Sequence, residues 1–509
     1  MPSRRLVIVV ALFCAACDRQ PPDHFVRVRA STIALTHARL IDGNGVPAQA
    51  NQTVIIQDGR IRQVGPSARV AAPAVAQVID LSGRTVMPGF VGMHEHLFYQ
   101  LEPASGTRAV TAQTAFAKLY LAAGVTTIRT AGTVDFRGDL RMKRLIDEGA
   151  EAGPRIDVSG PYLHGIGAQP HPDEIRQQVI DAADEGATSF KAYTSLRASE
   201  LRAAIAAAHE RGFTITGHLC AVGYRDAAAL GIDNIEHGII HDTEFYSGKK
   251  PDECPNLSKV YGELLYTEIT DDSIRQTMAD LIRHGVAITS TLAVFESYTG
   301  RPSGFDPRVP VVLSSRLQSV YEDARAQVKD PNAAWPRAWA RLLDKEMQFE
   351  AMFVRAGGRL MAGVDPTGWG GVMAGFGDQR ELELLVEAGL QPEVAIRVAT
   401  LNGAMFLRRR DIGVVEEGAR ADLVVVRGDP TAHISDIRNV ETVFKDGVGY
   451  DPTALVAATA GTVTDYDFTR LLRWPWNAIL GAWLLSVVIR RVWRARRRRP
   501  PVIAQEARA

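Results

Sequence analysis

Residues 86–100 have the sequence VMPGFVGMHEHLFYQ. An apolar run ends in His94, Glu95 and His96, which Leu97 and Phe98 follow. If residues 90–96 form a β-strand, alternate side chains point to the same face, about 6–7 Å apart. The two imidazoles would then share one face, and Glu95 would point to the other. Histidine is the commonest protein ligand of metal ions, so this spacing is typical of a metal site. A lone pair of this kind is more often two surface or packing histidines, and the rest of the chain has to decide between the two interpretations.

The chain has 509 residues, of which 46% are hydrophobic and 23% are charged, with a formal net charge of +0 at pH 7. This length allows one large barrel with additional segments, or two to three domains. The composition is that of a globular protein with enough apolar residues for a large core. Because the charges balance, nothing indicates a nucleic-acid partner.

The first 17 residues are predicted to be an export signal. A short basic segment precedes apolar residues 6–13, and two alanines precede Cys17, which is the usual order in such a signal. The small pair before a cysteine also resembles a bacterial lipoprotein signal, in which Cys17 would become the lipidated first residue. Cys14 stands where such signals usually have leucine, so an uncleaved anchor or cleavage nearby remains an alternative.

Residues 474–492, WPWNAILGAWLLSVVIRRV, are apolar except for a few polar side chains and two arginines near the end. Their length is near the lower limit of roughly 17–25 residues for a transmembrane helix. Arginines continue into the basic tail 493–509, which predicts a cytoplasmic tail and an extracytoplasmic body. We therefore expect a bacterial membrane protein whose body lies in the periplasm, in agreement with the export signal. The alternative is an amphipathic helix that lies on the membrane surface.

Only two cysteines, Cys220 and Cys254, lie between these ends. A single pair is not a disulfide framework. Cys220, which is close to His218, could equally be a buried thiol, so the sequence leaves the redox state of the pair open.

Two β-rich segments, 32–86 and 411–448, flank the central part of the chain. They contain short predicted strands separated by turn residues, such as Asp58 and Gly59 in a predicted hairpin. We expect the two segments to come together as one small β-sandwich domain. Residues 449–473 are predicted to be a linker to the membrane segment.

Residues 87–410 alternate between predicted helices and short apolar strands. Glycine follows several of the helices, for example Gly212 before residues 213–218, which is typical of the end of a helix. Counting the strand before His94 as the first, eight strands follow one another with helices between them. This order predicts a (β/α)8 TIM barrel, in which active sites lie at the carboxyl ends of the strands.

Side chains that can bind metals are predicted at the ends of five of these strands. They are His94 and His96 on strand one, Lys191 on strand four, His218 on strand five, His237 on strand six and Asp365 on strand eight. Taken alone, Lys191 would form a salt bridge, His237 would be a hydrogen-bonded core residue and Asp365 would cap a turn. Because all six fall on the catalytic face of the predicted barrel, we favour a metal site.

The motifs that carry these residues resemble those of the amidohydrolase superfamily. They are MPGFVGMHEH for the HxH pair, SFKAY for Lys191, TGHL and NIEHG for the later histidines, and AGVD for Asp365. The resemblance extends over about residues 32–447. It is greatest for the branch of imidazolonepropionase-like proteins and prolidase-like dipeptidases.

The resemblance implies two divalent metal ions, with zinc as the expected element. Five residues would bind the ions directly: His94, His96 and Asp365 the more buried one, and His218 and His237 the other. Lys191 would be carboxylated on Nζ, because a bridging carbamate is anionic whereas a protonated lysine would repel two cations. Asp365 would be the catalytic residue that takes the proton of a metal-activated hydroxide and passes it to the leaving group.

His164 and Tyr193 are the predicted substrate-binding residues. His164 follows strand three and could bind a carbonyl or carboxylate group, or it is an ordinary loop histidine. Tyr193 should share a strand face with Lys191 and could donate to an oxyanion, or it packs in the core. Arg129 and His241 are further candidates.

These inferences together predict a hydrolase that cleaves a C–N amide or peptide bond of a small substrate. Dipeptides are the leading substrate class and cyclic amides are the second. Two other classes stay open, namely a metal-binding barrel without catalytic activity and a membrane tether. The expected partners are a small molecule or dipeptide and the membrane, which would be contacted through the C-terminal helix and a lipid on Cys17.

Overall fold

The computed structural model describes residues 22–100, 109–164, 170–367 and 371–464. The predicted export signal 1–17, the segment 474–492 and the basic tail 493–509 lie outside these ranges, as does part of the linker. Within the ranges, no helix is both long enough and apolar enough to cross a membrane.

Nineteen strands, numbered in chain order, occur in the described part of the chain. Their bounds are β1 Val26–Val28, β2 Thr32–Leu40, β3 Gln49–Gln57, β4 Arg60–Pro66, β5 Gln77–Asp80, β6 Arg84–Pro88, β7 Phe90–Glu95, β8 Phe98–Gln100, β9 Ala109–Thr111, β10 Val125–Thr130, β11 Arg155–Asp157, β12 Ser189–Thr194, β13 Thr214–Leu219, β14 Asn234–Glu236, β15 Ala287–Ser290, β16 Leu360–Ala362, β17 Leu423–Arg427, β18 Val440–Lys445 and β19 Val448–Tyr450.

Fifteen α-helices occur in the same residues. Their bounds are α1 Gln113–Ala122, α2 Phe136–Asp147, α3 Pro172–Glu185, α4 Ala198–Glu210, α5 Tyr224–Leu230, α6 Leu257–Leu264, α7 Asp272–His284, α8 Leu292–Ser297, α9 Val309–Val312, α10 Ser315–Gln327, α11 Ala334–Arg355, α12 Phe376–Glu387, α13 Pro392–Val398, α14 Leu401–Phe406 and α15 Pro452–Ala457. Short 3-10 helices cover Pro22–Phe25, Gly238–His241, Pro302–Gly304 and Ile434–Arg438.

Eight parallel strands form the barrel. They are β7, β10 and β11, which pair with one another, followed by β12 to β16, which pair in chain order. A parallel bridge between Ser159 and Ser189 connects the two groups. The last strand returns to the first where the backbone N–H of Asp365 donates to the carbonyl of His94 at 2.9 Å. The predicted TIM-barrel fold is therefore confirmed.

The barrel strands are buried because helices cover their outer face. All residues of β7, β10 and β15 are buried, as expected for parallel strands between a core and a helical layer. Left-handed glycines end α3, α5 and α7, namely Gly186, Gly231 and Gly285. Each of them leads directly into the next strand, which is the helix–glycine–strand order that predicted the barrel.

The flanking segments build one nine-stranded sheet. Its order is β1-β19-β18-β17-β6-β2-β3-β4, with β5 paired to β2. The N-terminal strand β6 and the C-terminal strand β17 are antiparallel neighbours at its centre. Asp58 and Gly59 join β3 to β4 with φ of 49° and 78°, the left-handed pair that a tight hairpin requires. The two segments thus share a sheet, while their arrangement as a sandwich stays a prediction.

Candidate metal centre

The first barrel strand ends at a pair of imidazoles whose ring centroids are 5.4 Å apart. His94 Nδ1 lies 2.8 Å from Glu236 Oε2, and His96 Nδ1 lies 3.3 Å from the carbonyl oxygen of Gly132. A carboxylate and a carbonyl oxygen only accept hydrogen bonds, so both Nδ1 atoms carry the ring proton. The Nε2 lone pair of each ring is therefore left for a metal ion.

Asp365 completes a group of three metal donors. Its Oδ1 lies 3.2 Å from His96 Nε2 and 3.7 Å from His94 Nε2, and the three donor atoms lie within 4.8 Å of one another. Burial would raise the pKa of Asp365, but His94, His96 and Lys191 hold it below its usual value. Two imidazoles and one carboxylate are a donor set that zinc typically takes. These residues therefore fit a divalent metal ion.

Two of the predicted ligands have a left-handed backbone, Asp365 with φ of 46° and His237 with φ of 70°. Side chains rarely adopt this conformation unless the surrounding structure holds them in it. Asp365 N donates to the carbonyl of His94 at 2.9 Å, and His237 N donates to the carbonyl of Thr289 at 3.0 Å. These bonds fix each ligand to the neighbouring strand at the carboxyl end of the barrel.

His218 and His237 form a second pair of imidazoles beside the first. Their ring centroids are 4.6 Å apart, and the ring of His237 is 4.5 Å from that of His94. Thr291 Oγ1 lies 2.9 Å from His237 Nδ1. Burial lowers the pKa of His218 and His237 well below the usual value, and neighbouring imidazoles and Lys191 lower it further. Both rings are therefore neutral at pH 7, the form that binds metals.

Lys191 lies on β12 and is buried, with Nζ 3.4 Å from Glu236 Oε1. Burial lowers the pKa of Lys191 to about 8 with the help of Arg129, although Glu236 acts in the opposite direction. The charge of Lys191 also lowers the pKa of His94, His218 and His237. A lowered pKa increases the fraction of neutral, nucleophilic amine.

A buried ion pair beneath the ligands was not anticipated from the sequence. Glu236 Oε1 accepts from Arg129 at 2.8 Å, while its other oxygen contacts His94. Arg129 also donates to Thr216 Oγ1 at 3.1 Å and to the carbonyl of Met93. Both side chains of the pair are fully buried, so Arg129, considered above as a substrate contact, lies inside the barrel and holds Glu236. An arginine and an acid within short, fully buried strands were the available signal.

The predicted substrate-binding residues differ in their positions. Tyr193 is paired in register with His218, and the two ring centroids are 5.2 Å apart. His164 follows Leu163, which bridges to Ala192 at the end of the third barrel strand, and it is partly exposed. The structure thus brings Tyr193 to the imidazole cluster, whereas it puts His164 on the adjoining loop.

His241 is a fifth imidazole of the cluster. Its ring centroid is 4.5 Å from that of His218 and 5.1 Å from that of His237. Its Nδ1 lies 3.2 Å from the hydroxyl oxygen of Tyr261. The 3-10 turn that carries it is anchored by Glu346, which accepts from the backbone N–H groups of residues 239 and 240 at 3.0 and 2.8 Å.

The family is decided by a match that covers most of the chain. Residues 85–449 match the sequence model of the Amidohydrolase family. The chain belongs to the amidohydrolase family. It is a hydrolase that acts on carbon–nitrogen bonds.

Three proteins illustrate the similarity of this amidohydrolase to known ones. The imidazolonepropionase of Nocardia farcinica is 24% identical over 420 residues, which are 77% of this chain and 90% of that protein. The imidazolonepropionase of Saccharopolyspora erythraea is 32% identical over 139 residues, which are 27% of this chain and only 33% of that protein. The crystal structure of a putative prolidase from Bifidobacterium longum is 24% identical, with a TM-score of 0.60 over 84% of this chain and 99% of that chain.

In the amidohydrolase, Glu95 points away from the metal ligands. Its Oε1 accepts from the backbone N–H of Val364 at 3.2 Å. Burial and the neighbouring Asp378 raise the pKa of Glu95 well above its usual value. The strand alternation that separated Glu95 from the two histidines in the sequence is therefore present in the fold.

A disulfide joins Cys220 to Cys254, with Cα atoms 4.9 Å apart. Cys220 lies just after β13, which carries His218, and Cys254 lies on the long connection after β14. The bond therefore ties a ligand-bearing strand to the connection that carries Tyr261. This answers the question that the sequence left open about the two cysteines.

Replacing Glu236 with glutamine is expected to weaken metal binding by the amidohydrolase about 10–100-fold. The new amide N–H₂ would donate to His94 Nδ1 and move the ring proton to Nε2, which then cannot bind a metal. Arg129 would also lose its counter-charge, so the free energy of unfolding should fall by about 3–5 kcal/mol. Zinc titration and chemical denaturation measure the two effects.

The matched control is Glu151→Gln, which removes another buried carboxylate, one that pairs with Lys118 Nζ at 2.7 Å. This variant should lose stability but keep its zinc affinity. Unchanged zinc affinity in Glu236→Gln would contradict the role assigned to Glu236.

Proposed function

We propose that this amidohydrolase is a metal-dependent enzyme that cleaves the amide or peptide bond of a small substrate, with dipeptides such as Xaa–Pro as the first substrate class. The observation that carries the proposal is the convergence of His94 Nε2, His96 Nε2 and Asp365 Oδ1 at the carboxyl end of the barrel. The likeness to a putative prolidase supports the choice of dipeptides.

For the metal centre, we propose two zinc ions and a carboxylated Lys191. His94, His96 and Asp365 would hold one ion, while His218 and His237 would hold the other. The burial of Lys191 and its Nζ, 3.4 Å from the same Glu236 that contacts His94, support its place among the residues that would hold the ions. When bound, such ions supply an activated water and polarise the scissile carbonyl.

The protein side chains then handle protons and position the substrate. Asp365 accepts a proton as the oxygen of water bonds to the carbonyl carbon, and it gives this proton to the leaving nitrogen as the C–N bond breaks. The lowered pKa of Asp365 keeps it ionised before the reaction. Tyr193, whose ring is 5.2 Å from that of His218, would donate to the substrate oxygen, and His164 would bind a carboxylate at the loop.

Hydrolysis of a cyclic amide is the second candidate. It is favoured by the imidazolonepropionase relative that aligns over 77% of this chain and 90% of its own length. The same residues would act on a ring amide, except that the leaving nitrogen would stay attached to the product.

We also propose that the enzyme is exported and held at the bacterial membrane by residues 474–492 and by a lipid on Cys17, with its body in the periplasm. The disulfide between Cys220 and Cys254 supports an oxidising compartment. A phosphatase reporter fused after Ala509 should be inactive if the tail is cytoplasmic, and an active fusion would contradict this topology.

The test of function is a hydrolysis screen with the zinc-loaded full-length protein in detergent against dipeptides, N-acyl amino acids and cyclic amides. We expect turnover of dipeptides, about two zinc ions per chain, loss of activity with a chelator and its return with zinc. Turnover of cyclic amides alone would select the second candidate. A zinc-loaded protein that hydrolyses none of the three classes would overturn the proposal.

A further inference from the structure

An aromatic cluster adjoins the imidazoles on the side of His241. It consists of Tyr261, Tyr298, Trp335 and Trp339, and we call it the aromatic platform. Trp339 is its centre, with ring centroids 5.3 Å from Tyr261, 4.7 Å from Tyr298 and 5.9 Å from Trp335. The rings of Tyr298 and Trp335 are themselves 5.6 Å apart.

The platform is continuous with the metal centre. The hydroxyl oxygen of Tyr261 lies 3.2 Å from His241 Nδ1, and the His241 ring is 4.5 Å from that of His218. Burial raises the pKa of Tyr298, and the charge of Asp365 raises it further. The platform thus begins at the second imidazole pair and extends away from it.

Two connections at the catalytic face supply these residues, the one after β14 and the one after β15. Tyr261 lies on α6 after the sixth barrel strand, Tyr298 follows α8 after the seventh, and Trp335 and Trp339 lie one turn apart on α11. Trp339 is 9% exposed, whereas Trp335 is 42% exposed. A tryptophan normally buries more of its surface than Trp335 does, so this ring presents apolar area at the outer end of the platform.

We propose that the aromatic platform binds a large neutral apolar side chain, aromatic or branched aliphatic, on the substrate residue that carries the scissile carbonyl. The inference rests on the proposed function and specifies its substrate class. His241 is 4.5 Å from the ring of His218 and 5.1 Å from that of His237, so a scissile carbonyl bound beside these two residues would direct its attached side chain towards His241, where the platform starts. The described contacts join these rings to one another, and Trp335 exposes part of its ring, so the surface suits a large apolar group.

His241 provides the polar boundary of this subsite. Tyr261 is a partly buried phenol whose hydroxyl oxygen lies 3.2 Å from His241 Nδ1, and the tautomer of the ring determines which of the two groups donates. His241 therefore lies between the imidazole of His218 and the phenol of Tyr261.

The test compares Phe–Pro and Leu–Pro with Gly–Pro, using the zinc-loaded full-length enzyme and its Trp335→Ala variant. The parent should prefer the large residues in kcat/KM, and Trp335→Ala should reduce this preference about 3–10-fold with little change for Gly–Pro. Tyr266→Ala is the matched control, because Tyr266 is 80% exposed and lies just beyond α6 without a platform contact among the described rings. That variant should keep the parent's preference.

A binding measurement separates this proposal from the proposed function. Calorimetry with the metal-free protein compares N-acetylphenylalaninamide, N-acetylglycinamide and N-acetyllysinamide, none of which is turned over without metal. We expect the phenylalanine compound to bind most tightly and to lose this advantage in Trp335→Ala, even if no dipeptide proves to be a substrate. Equal affinities, an unchanged Trp335→Ala variant or tightest binding of the lysine compound would each overturn the assignment.

Discussion

Asp365→Asn is expected to lower kcat by about 10⁴-fold, at the upper end of what a proton-transferring side chain contributes. The carboxylate is both a metal donor and the only proposed group that carries the proton to the leaving nitrogen. An asparagine amide cannot accept that proton at any pH near neutrality. The imidazole neighbours hold the pKa of Asp365 low, so the carboxylate is already ionised at neutral pH. Raising the pH should therefore not increase the kcat of the parent enzyme through Asp365.

Asparagine is the appropriate replacement because the backbone at Asp365 is left-handed, with φ of 46°. Asparagine tolerates this conformation better than alanine does, so the fold should stay intact. Asp58→Asn makes the same change at φ of 49° in the hairpin between β3 and β4, and this control should keep full activity. Steady-state kinetics, together with metal analysis, measures the effect. If kcat of Asp365→Asn stays within tenfold of that of the parent, Asp365 is not the catalytic residue.

The barrel was predictable because its signals are local. Glycines at helix ends and short β-branched runs recur along the central part of the chain, and each depends on only a few neighbouring residues. The rule that catalytic groups lie at the carboxyl ends of barrel strands then predicted which polar residues would share one face. In the structure, His94, His96 and Asp365 form a compact donor group at that face.

The buried ion pair between Glu236 and Arg129 could not be derived from such local signals. Glu236 and Arg129 are 107 residues apart in the chain, and an acid or an arginine within a strand has many ordinary explanations. Their contact depends on which interior positions of β10 and β14 lie at the same height in the closed barrel. Strand alternation alone does not determine that height, because it depends on the register between strands.

The aromatic platform and the disulfide depend on long connections. Cys254 and Tyr261 lie on the segment after β14, and Trp335 lies after a further segment between β15 and α11. Such connections have no periodic pattern from which their packing can be inferred. The proposed substrate class therefore rests on the contacts that these segments make with His241, which the sequence does not show.

Replacing Lys191 with either alanine or arginine is expected to lower kcat by at least about 10³-fold, because a missing bridge removes several kcal/mol of metal-based stabilisation. Bound zinc should fall from about two ions per chain to about one. The comparison of the two variants separates the two roles that a buried lysine can have here. One role is as a carbamate between the ions, and the other is as a cation paired with Glu236 at 3.4 Å.

Arginine distinguishes these roles because its guanidinium is always protonated and does not add to CO₂. It keeps the positive charge that Glu236 requires but cannot become an anionic bridge. If the charge of Lys191 were its whole contribution, Lys191→Arg would keep most of the activity and both ions. If the carbamate is essential, Lys191→Arg should be as inactive as Lys191→Ala. Lys143→Arg, on a lysine paired with Asp147 on the surface of α2, is the control for the substitution itself.

The parent enzyme provides a second measurement that does not depend on how well the variants fold. Protein stripped of zinc and CO₂ should recover activity with zinc only when bicarbonate is also present, because the carbamate forms from the neutral amine and CO₂. The pKa of Lys191, lowered to about 8 by burial, makes that amine available near neutral pH, so recovery should be faster at pH 8 than at pH 6 for equal dissolved CO₂. Full recovery with zinc alone, together with an active Lys191→Arg variant, would show that Lys191 acts as a cation and would leave the second metal ion without its bridge.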